Sequence, residues 1–293
     1  MPQQDVFQAY KPLLFSIAYN MLGSVMDAED CVQEAFLRWY QAKDLGETEA
    51  VRSPKSYLST IVTRLSIDCL RRARVRREQY VGVWLPEPLI SVDETSVTGM
   101  VELSEALSMA FLHLLERLSP LERAVFLLRQ VFDYDYGAIA TMVEKSEDHC
   151  RQIVRRARQH LGARHALHHA SREQQEAILH QFLRACQEGD MDGLLGLLAN
   201  DIVVYSDTGG KAPAARHPIC GVDRVVQHLL GTVRKVLEDF SIRVALVNGQ
   251  PGMIVYRDGV PAVLLSLEML DGQIWEIDVI ANPDKLQGVP ALN

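Results

Sequence analysis

The sequence predicts a multidomain protein in which two all-α domains precede one α+β domain. Three observations lead there. A chain of 293 residues exceeds one ordinary domain and leaves room for two or three units of roughly 100 residues each. Apolar residues recur at helical spacing from the N-terminus to about residue 161, and beyond about residue 172 short β-branched runs alternate with Asn-Gly, Pro-Gly and Asp-Gly dipeptides. Composition agrees with packed domains, because 48% hydrophobic and 23% charged residues match globular proteins and exclude disordered or collagenous ones.

The first predicted helix runs from about Val6 to Leu22, where Phe7, Tyr10, Leu14, Phe15, Ala18, Tyr19 and Leu22 share a face and Gly23 supplies a stop. A second covers about Asp27 to Gln41, with Cys31, Ala35 and Trp39 as its apolar row and Glu29, Asp30, Gln33 and Glu34 as an acidic flank. The third opens at Ser53-Pro54 and continues to Arg77, with Ser as N-cap and Pro at the first helical position. From Glu78 to about Val101 the text changes, and Pro86 and Pro88 forbid a helix. Helices resume over Glu102 to Arg117, and Ser119-Pro120-Leu121-Glu122 forms a capping box that opens a helix to about Phe132.

After Arg172 two amphipathic helices, Gln174 to Gln187 and Met191 to Leu198, precede five strand-like runs near residues 202–205, 242–247, 253–257, 263–269 and 274–280. Together they predict helices packed on a curved antiparallel sheet.

Charge divides the chain. Residues 1–172 hold 21 basic and 22 acidic side chains, and residues 173–293 hold 9 and 16, so most of the formal charge of -8 sits in the last domain. The segment from Arg64 to Arg77 has six Arg against one Asp, which marks a half that can face nucleic acid. Five cysteines at 31, 69, 150, 186 and 220 are odd in number and far apart, so they read as buried free thiols, neither a disulfide framework nor a metal knuckle. Neither a basic leader nor about 18 uninterrupted apolar residues occurs, and the expected location is the cytoplasm, with no membrane partner.

A helix-turn-helix is the strongest local signal. Asp135 caps a short helix containing Ile139-Ala140, a turn follows Val143, and Ser146 caps a second helix with Glu147 and Asp148 in its first turn. Cys150, Ile153, Val154, Ala157 and Leu161 form one stripe of that second helix, and Arg151, Gln152, Arg155, Arg156, Arg158 and Gln159 face away from it. Arg and Gln make bidentate hydrogen bonds to purine edges, and Arg also pairs with phosphate. The helix to Arg77 carries Tyr57, Ile61 and Val62 ahead of its arginines, a mixture suited to single-stranded DNA.

Read in order, these parts identify a family. Asp27-Ala-Glu-Asp-Cys-Val-Gln-Glu-Ala-Phe-Leu-Arg-Trp39 resembles the polymerase-binding helix of sigma-70 region 2, and Thr60-Ile-Val-Thr-Arg-Leu-Ser-Ile-Asp68-Cys-Leu-Arg-Arg72 resembles its promoter-melting helix. Leu118-Ser-Pro-Leu-Glu-Arg123 with residues 136–140 and 146–161 resembles region 4, and no region 3 fits between them. That layout resembles the extracytoplasmic-function sigma factors. Trp84-Leu-Pro-Glu-Pro-Leu89, Asp207-Thr-Gly-Gly-Lys211 and Asn282-Pro-Asp-Lys-Leu286 resemble the group with a fused C-terminal SnoaL-like domain.

The resemblance implies region 2 at 1–78, a linker at 79–101, region 4 at 102–165 and a SnoaL-like cone at 173–293 that regulates the factor in cis through contact with the sigma domains. It assigns Gln33, Glu34, Phe36 and Tyr40 to the β′ clamp coiled coil of core RNA polymerase, with region 4 on the β flap. Arg64, Asp68, Arg71 and Arg72 go to the -10 element of promoter DNA, and His149, Arg151, Gln152, Arg155 and Arg156 to the -35 element. The family commonly has Arg-Asn where this chain has Thr63-Arg64. The regulatory set is Trp84, Leu85, Pro86, Asp207, Gly209, Gly210, Lys211, Asn282, Pro283, Asp284, Lys285 and Leu286.

Relatives of the SnoaL-like fold include acid/base enzymes, and Asp201, Asp207, Lys211, His217 and Asp278 are the groups such chemistry would use here. Fold alone does not license catalysis, and the expectation is a non-enzyme without cofactor or metal. His160, His165, His168 and His169 read as solvated. Two alternatives remain: a ligand-sensing helix-turn-helix repressor, and a SnoaL-type small-molecule-binding or acid/base domain tethered to a DNA-binding regulator.

Overall fold

The computed structural model describes residues 3–44, 53–77, 79–91, 107–162, 171–212, 215–236 and 240–292. They fall into two compact units. The first holds residues 3–44, 53–77, Leu107 and 114–162, and the second holds 79–91, 108–113 and the described residues from 171 onward.

In the first unit α1 (Gln3–Leu22), α2 (Val25–Asp44) and α3 (Pro54–Arg77) pack together over Leu14, Ile17, Ala18, Leu58 and Val62, all buried. Gly23, at φ 64°, ends α1 by donating its N–H to the Tyr19 carbonyl at 2.7 Å. The Ser56 N–H donates to the Ser53 hydroxyl at 3.3 Å and caps α3. Helix α5 (Pro120–Gln130) begins on a complete capping box between Ser119 and Glu122 and stops two residues before the expected Phe132. Helices α6 (Tyr136–Val143) and α7 (Glu147–Leu161) follow, capped by the Asp135 and Ser146 side chains.

The expected helix from Glu102 to Arg117 is corrected. Residues 102–106 lie outside the described residues, and Leu107 and Ser108 are not helical. The Ser108 hydroxyl accepts the Phe111 N–H at 3.2 Å, a side-chain to backbone bond that favours a helix start over a helix interior. The helix is therefore short, α4 (Met109–Leu114), and it tightens to a 3-10 turn over Leu115–Arg117.

The second unit contains α8 (Arg172–Glu188), α9 (Met191–Leu197), α10 (Val222–Val236) and a seven-stranded sheet. Its strands are β1 (Ile90–Ser91), β2 (Leu198–Asp207), β3 (Ile219–Cys220), β4 (Phe240–Val247), β5 (Gln250–Arg257), β6 (Val260–Leu270) and β7 (Gln273–Ile280), in the order β1-β4-β5-β6-β7-β2-β3. The sheet is mixed where an antiparallel one was expected, because β2 runs parallel to β7. Such a pair needs a long crossover, and the chain between the two strands supplies it.

Hairpins turn at Asn248-Gly249, Asp258-Gly259 and Asp271-Gly272, all at positive φ. Pro251-Gly252, expected as a turn, instead lies inside β5. Glycine is required there: a Cβ on Gly252 would stand 2.7 Å from the Leu265 carbonyl oxygen and from Val247 Cγ2. Helix α10 went unforeseen, although Val225, Val226 and Leu229 bury one face of it. Of the five cysteines, four are buried free thiols, whereas Cys220 on the short strand β3 is exposed.

Alternate residues of the strands feed two cores. Val204, Met253, Leu267 and Ile277 pack with α8, α9 and α10. Tyr205, Ile254, Leu264 and Ile280 point the other way, against Leu85, Met109, Leu286 and Val289.

Candidate functional site

Helix α7 buries Cys150, Ile153, Val154, Ala157 and Leu161 and leaves Arg151, Gln152, Arg155, Arg156, Arg158 and Gln159 exposed, with His149 exposed at its start. The arginines differ in what already holds them. Arg151 pairs with Glu147 at 2.8 Å and Asp148 at 3.0 Å and lies over the Tyr136 ring, and Arg158 donates to Gln130 at 2.6 Å. Gln152 and Arg155 project on the same face. A helix with an apolar back and a polyvalent cationic front can lie along a DNA groove. His160 is exposed, 4.0 Å from Glu122; His165, His168 and His169 lie outside the described residues.

On α3, Asp68, Arg71 and Arg72 are exposed, and Arg71 pairs with Asp68 at 3.1 Å. Arg64 is occupied. Its guanidinium donates to the Met142 carbonyl at 2.9 Å and the Thr141 carbonyl at 3.1 Å, and pairs with Glu144 at 3.0 Å. It thereby caps the C-terminal end of α6, where a cation is favoured. The Ser59 hydroxyl meets the Tyr134 hydroxyl at 2.7 Å nearby. Along α2, Gln33 is exposed, Glu34 pairs with Arg38 at 2.8 Å, and the Phe36 and Tyr40 rings sit 4.4 Å apart, both half-buried.

A buried ion network, which the sequence reading did not single out, ties the first unit together. Arg123 is 1% exposed; it pairs with Glu116, which also pairs with Arg77, and it donates to the Asn20 carbonyl at 3.2 Å. Burial alone would raise the Glu116 carboxyl, but the Arg123 and Arg77 charges outweigh it and hold the group below the usual range.

The second unit brings the three motifs around Trp84, Asp207 and Asn282 to one point. The Asp207 carboxylate, 0% exposed, accepts hydrogen bonds from the Tyr80 hydroxyl at 2.5 Å, the Leu85 N–H at 2.9 Å, the Gly209 N–H at 3.0 Å and the Lys285 ammonium at 2.7 Å. Lys285 also donates to the Leu85 carbonyl and lies 4.2 Å from the centre of the Trp84 ring. The Asn282 amide donates to the Tyr80 hydroxyl at 2.8 Å, and Asn282 caps the 3-10 turn Pro283–Lys285. Leu85 and Leu286 are buried in the core beside β6 and β7, and Pro86 is buried next to Leu85. Gly209 and Gly210 both adopt positive φ, and Lys211 reaches Asp284 at 2.5 Å.

Tyr80 was not among the expected residues. It precedes Trp84 by four positions without any recurring pattern. Burial first, then the hydrogen bond to Asp207, pushes its phenol well up, so it serves as a donor. The groups considered for acid/base chemistry do not converge: Asp201 and His217 are exposed, Asp207 and Lys211 belong to the linker junction, and Asp278 is buried elsewhere, on β7.

Comparison with known proteins agrees with this layout. Sigma-70 region 2 matches residues 6–76, and Sigma-70 region 4 matches residues 108–161. The ECF RNA polymerase sigma factor SigJ of Mycobacterium tuberculosis is 36% identical over 97% of this chain and 93% of its own. The probable ECF RNA polymerase sigma factor SigI of the same organism is 30% identical over 99% of this chain and 97% of its own. The crystal structure of Mycobacterium tuberculosis SigJ superposes with a TM-score of 0.80 at 31% identity, covering 98% of this chain and 99% of that one. Among the described residues no helix is long and apolar enough to cross a membrane. With both helical modules matched and the linker motifs joined to a C-terminal α+β unit, the chain belongs to the extracytoplasmic-function sigma factors of the sigma-70 family, RNA polymerase subunits for promoter-specific transcription initiation, in the group with a fused SnoaL-like domain.

Proposed function

We propose that the C-terminal domain regulates this sigma factor in cis by holding the start of the linker and the start of region 4, and that it does so as a binding module and not as an enzyme. The observation that carries this is the Asp207 junction. Residues 79–91, which follow region 2, are packed into the C-terminal unit through Tyr80, Leu85 and β1, and residues 108–113, at the start of the region 4 match, belong to that unit as well. The distance between two promoter-reading modules must match the spacing of their DNA elements, so a unit that holds both ends of the connection controls that distance.

On this reading Arg64, Asp68, Arg71 and Arg72 engage the -10 element, and His149, Arg151, Gln152, Arg155 and Arg156 the -35 element. Gln33, Glu34, Phe36 and Tyr40 engage the β′ clamp of core polymerase, and region 4 the β flap. Arg64 closes the end of α6 in this arrangement, so promoter opening requires its release. The protein then exchanges between a compact and a polymerase-competent state, and the C-terminal domain shifts the balance by its differential affinity for the two.

Promoter-dependent transcription with core polymerase tests this. Deleting residues 282–293 removes Lys285 and Leu286 from the junction and is expected to change transcription at unchanged protein level. Removing everything after residue 172 is expected to change it differently. Equal transcription by both truncations and the full chain, across a range of polymerase concentrations, would refute regulation in cis.

A further inference from the structure

The sheet face opposite α8–α10 carries a second group of buried and half-buried polar residues, separate from the Asp207 junction. Glu268 on β6 pairs across the ladder with Glu276 on β7, and Ser266 with Asp278, so the three acidic side chains share one face. Above them stands His113, from the last turn of α4. Its ring meets the Tyr205 ring edge-on, with centroids 4.5 Å apart, and its Nδ1 lies 3.6 Å from Glu276 Oε1.

Two oxygens of this cluster are buried without a hydrogen-bond donor. Asp278 is 2% exposed, and its Oδ1 has no hydrogen-bond donor; neither has Glu276 Oε1, which is also buried. Among the described residues no Lys or Arg forms an ion pair with either carboxylate. One nitrogen and two carboxylate donors, from His113, Glu276 and Asp278, all lie within 4.8 Å of one another.

We propose that His113, Glu276 and Asp278 bind one divalent transition cation of the Zn2+ class. Imidazole with two carboxylates is a common donor set for that ion, and bonds of about 2.0–2.2 Å place tetrahedral donors roughly 3.4 Å apart. The His113–Glu276 separation of 3.6 Å is close to that spacing, and small rotations bring in Asp278. The cation would satisfy both orphan oxygens and balance the two donor carboxylates. It would also fasten residues 108–113 to β7. Glu268, hydrogen-bonded to the Ser108 hydroxyl, stands beside the donors as an orienting group. No sequence spacing announces the site, because His113 and Glu276 are distant in the chain.

The test uses the full-length chain, stripped with a chelator, dialysed and titrated with Zn2+ alone at neutral pH, with calorimetry and elemental analysis as readouts. One tightly bound equivalent is expected. His113→Ala and Asp278→Asn should each weaken it at least about 100-fold, since even outer-shell substitutions cost 10–100-fold. Weak uptake by exposed groups such as Cys220 should persist in every variant. Circular dichroism checks folding, and if Asp278→Asn does not fold, His113→Ala and Glu276→Gln carry the test. Failure to find a tight equivalent overturns the assignment, as does a tight equivalent that survives these substitutions. A wild-type protein whose melting temperature ignores Zn2+ while Asp278→Asn raises it would identify a protonated carboxyl cluster instead.

Discussion

On α7 the charged side chains Arg151, Arg155, Arg156 and Arg158 stand in water, whereas the Asp207 carboxylate, at 0% exposure, takes donors from Tyr80, Leu85, Gly209 and Lys285. The difference is one of commitment. Exposed ion pairs such as Arg151 with Glu147 are screened by water and salt, so the guanidinium can exchange a carboxylate for a phosphate or a base edge. A buried carboxylate satisfied by four particular donors fits one arrangement of chain. Charge of the first kind recognises other molecules; charge of the second kind recognises the protein itself.

Asp207→Asn breaks this comparison at its strongest point. The variant leaves Lys285 with its ammonium largely buried and an amide where four donors converge. Removing one partner of a buried pair costs about 3–5 kcal/mol, and the denaturant unfolding midpoint should fall accordingly. Protease cleavage within residues 79–91 should rise at the same time. An unchanged midpoint would show that the junction contributes nothing to stability.

Gly209→Ala attacks the same junction through the backbone. Gly209 sits at φ 55°, and a Cβ there would lie 2.6 Å from the Asn282 amide nitrogen; Gly221, at φ 90°, has open space around it. Both substitutions carry the left-handed backbone penalty of about 1–2 kcal/mol, and Gly209→Ala adds displacement of Asn282 from Tyr80. Unfolding measurements should rank Gly209→Ala as the more damaging. Equal losses would mean that Asn282 moves aside freely.

The exposed face is tested by Arg155→Ala and Arg151→Ala, read as promoter affinity against a scrambled -35 element. A bidentate contact to a base is worth about 1–3 kcal/mol of discrimination. Arg155 should show the larger loss, because Arg151 must first leave Glu147 and Asp148. Loss that is uniform over all DNA sequences would assign both residues to phosphate.

Features encoded locally were legible in the sequence. The caps Ser119, Asp135 and Ser146 and the α7 stripe follow from neighbours within one or two helical turns, and all appear as expected. The placement of Trp84, Asp207 and Lys285 came from resemblance, since nothing in their local spacing brings residues so distant in sequence together. Long-range register was not readable: the parallel β2–β7 pair, the close approach at Gly252 and the grouping of His113 with Glu276 depend on which strands become neighbours. Helix α10 was passed over because Val222, Val225 and Val226 favour a strand as much as a helix.

Lys211→Ala is expected to have the smallest effect, and it sharpens the comparison from inside the motif set. Lys211 and Asp284 approach to 2.5 Å, closer than Lys285 approaches Asp207 at 2.7 Å, yet their side chains are 53% and 57% exposed. Distance alone would rank this pair first. Solvent ranks it last: water and salt screen an exposed pair, and holding a long lysine chain costs entropy, so about 0–1 kcal/mol is the usual yield. Burial of Leu85 alone is worth about 1.5–3 kcal/mol, which already exceeds it. Unfolding midpoints of Lys211→Ala should therefore lie close to wild type, and the small difference should shrink further in high salt. A loss as large as that of Asp207→Asn would mean that Lys211 has a second role at this junction, as a group that sets the conformation of the Gly209-Gly210 turn.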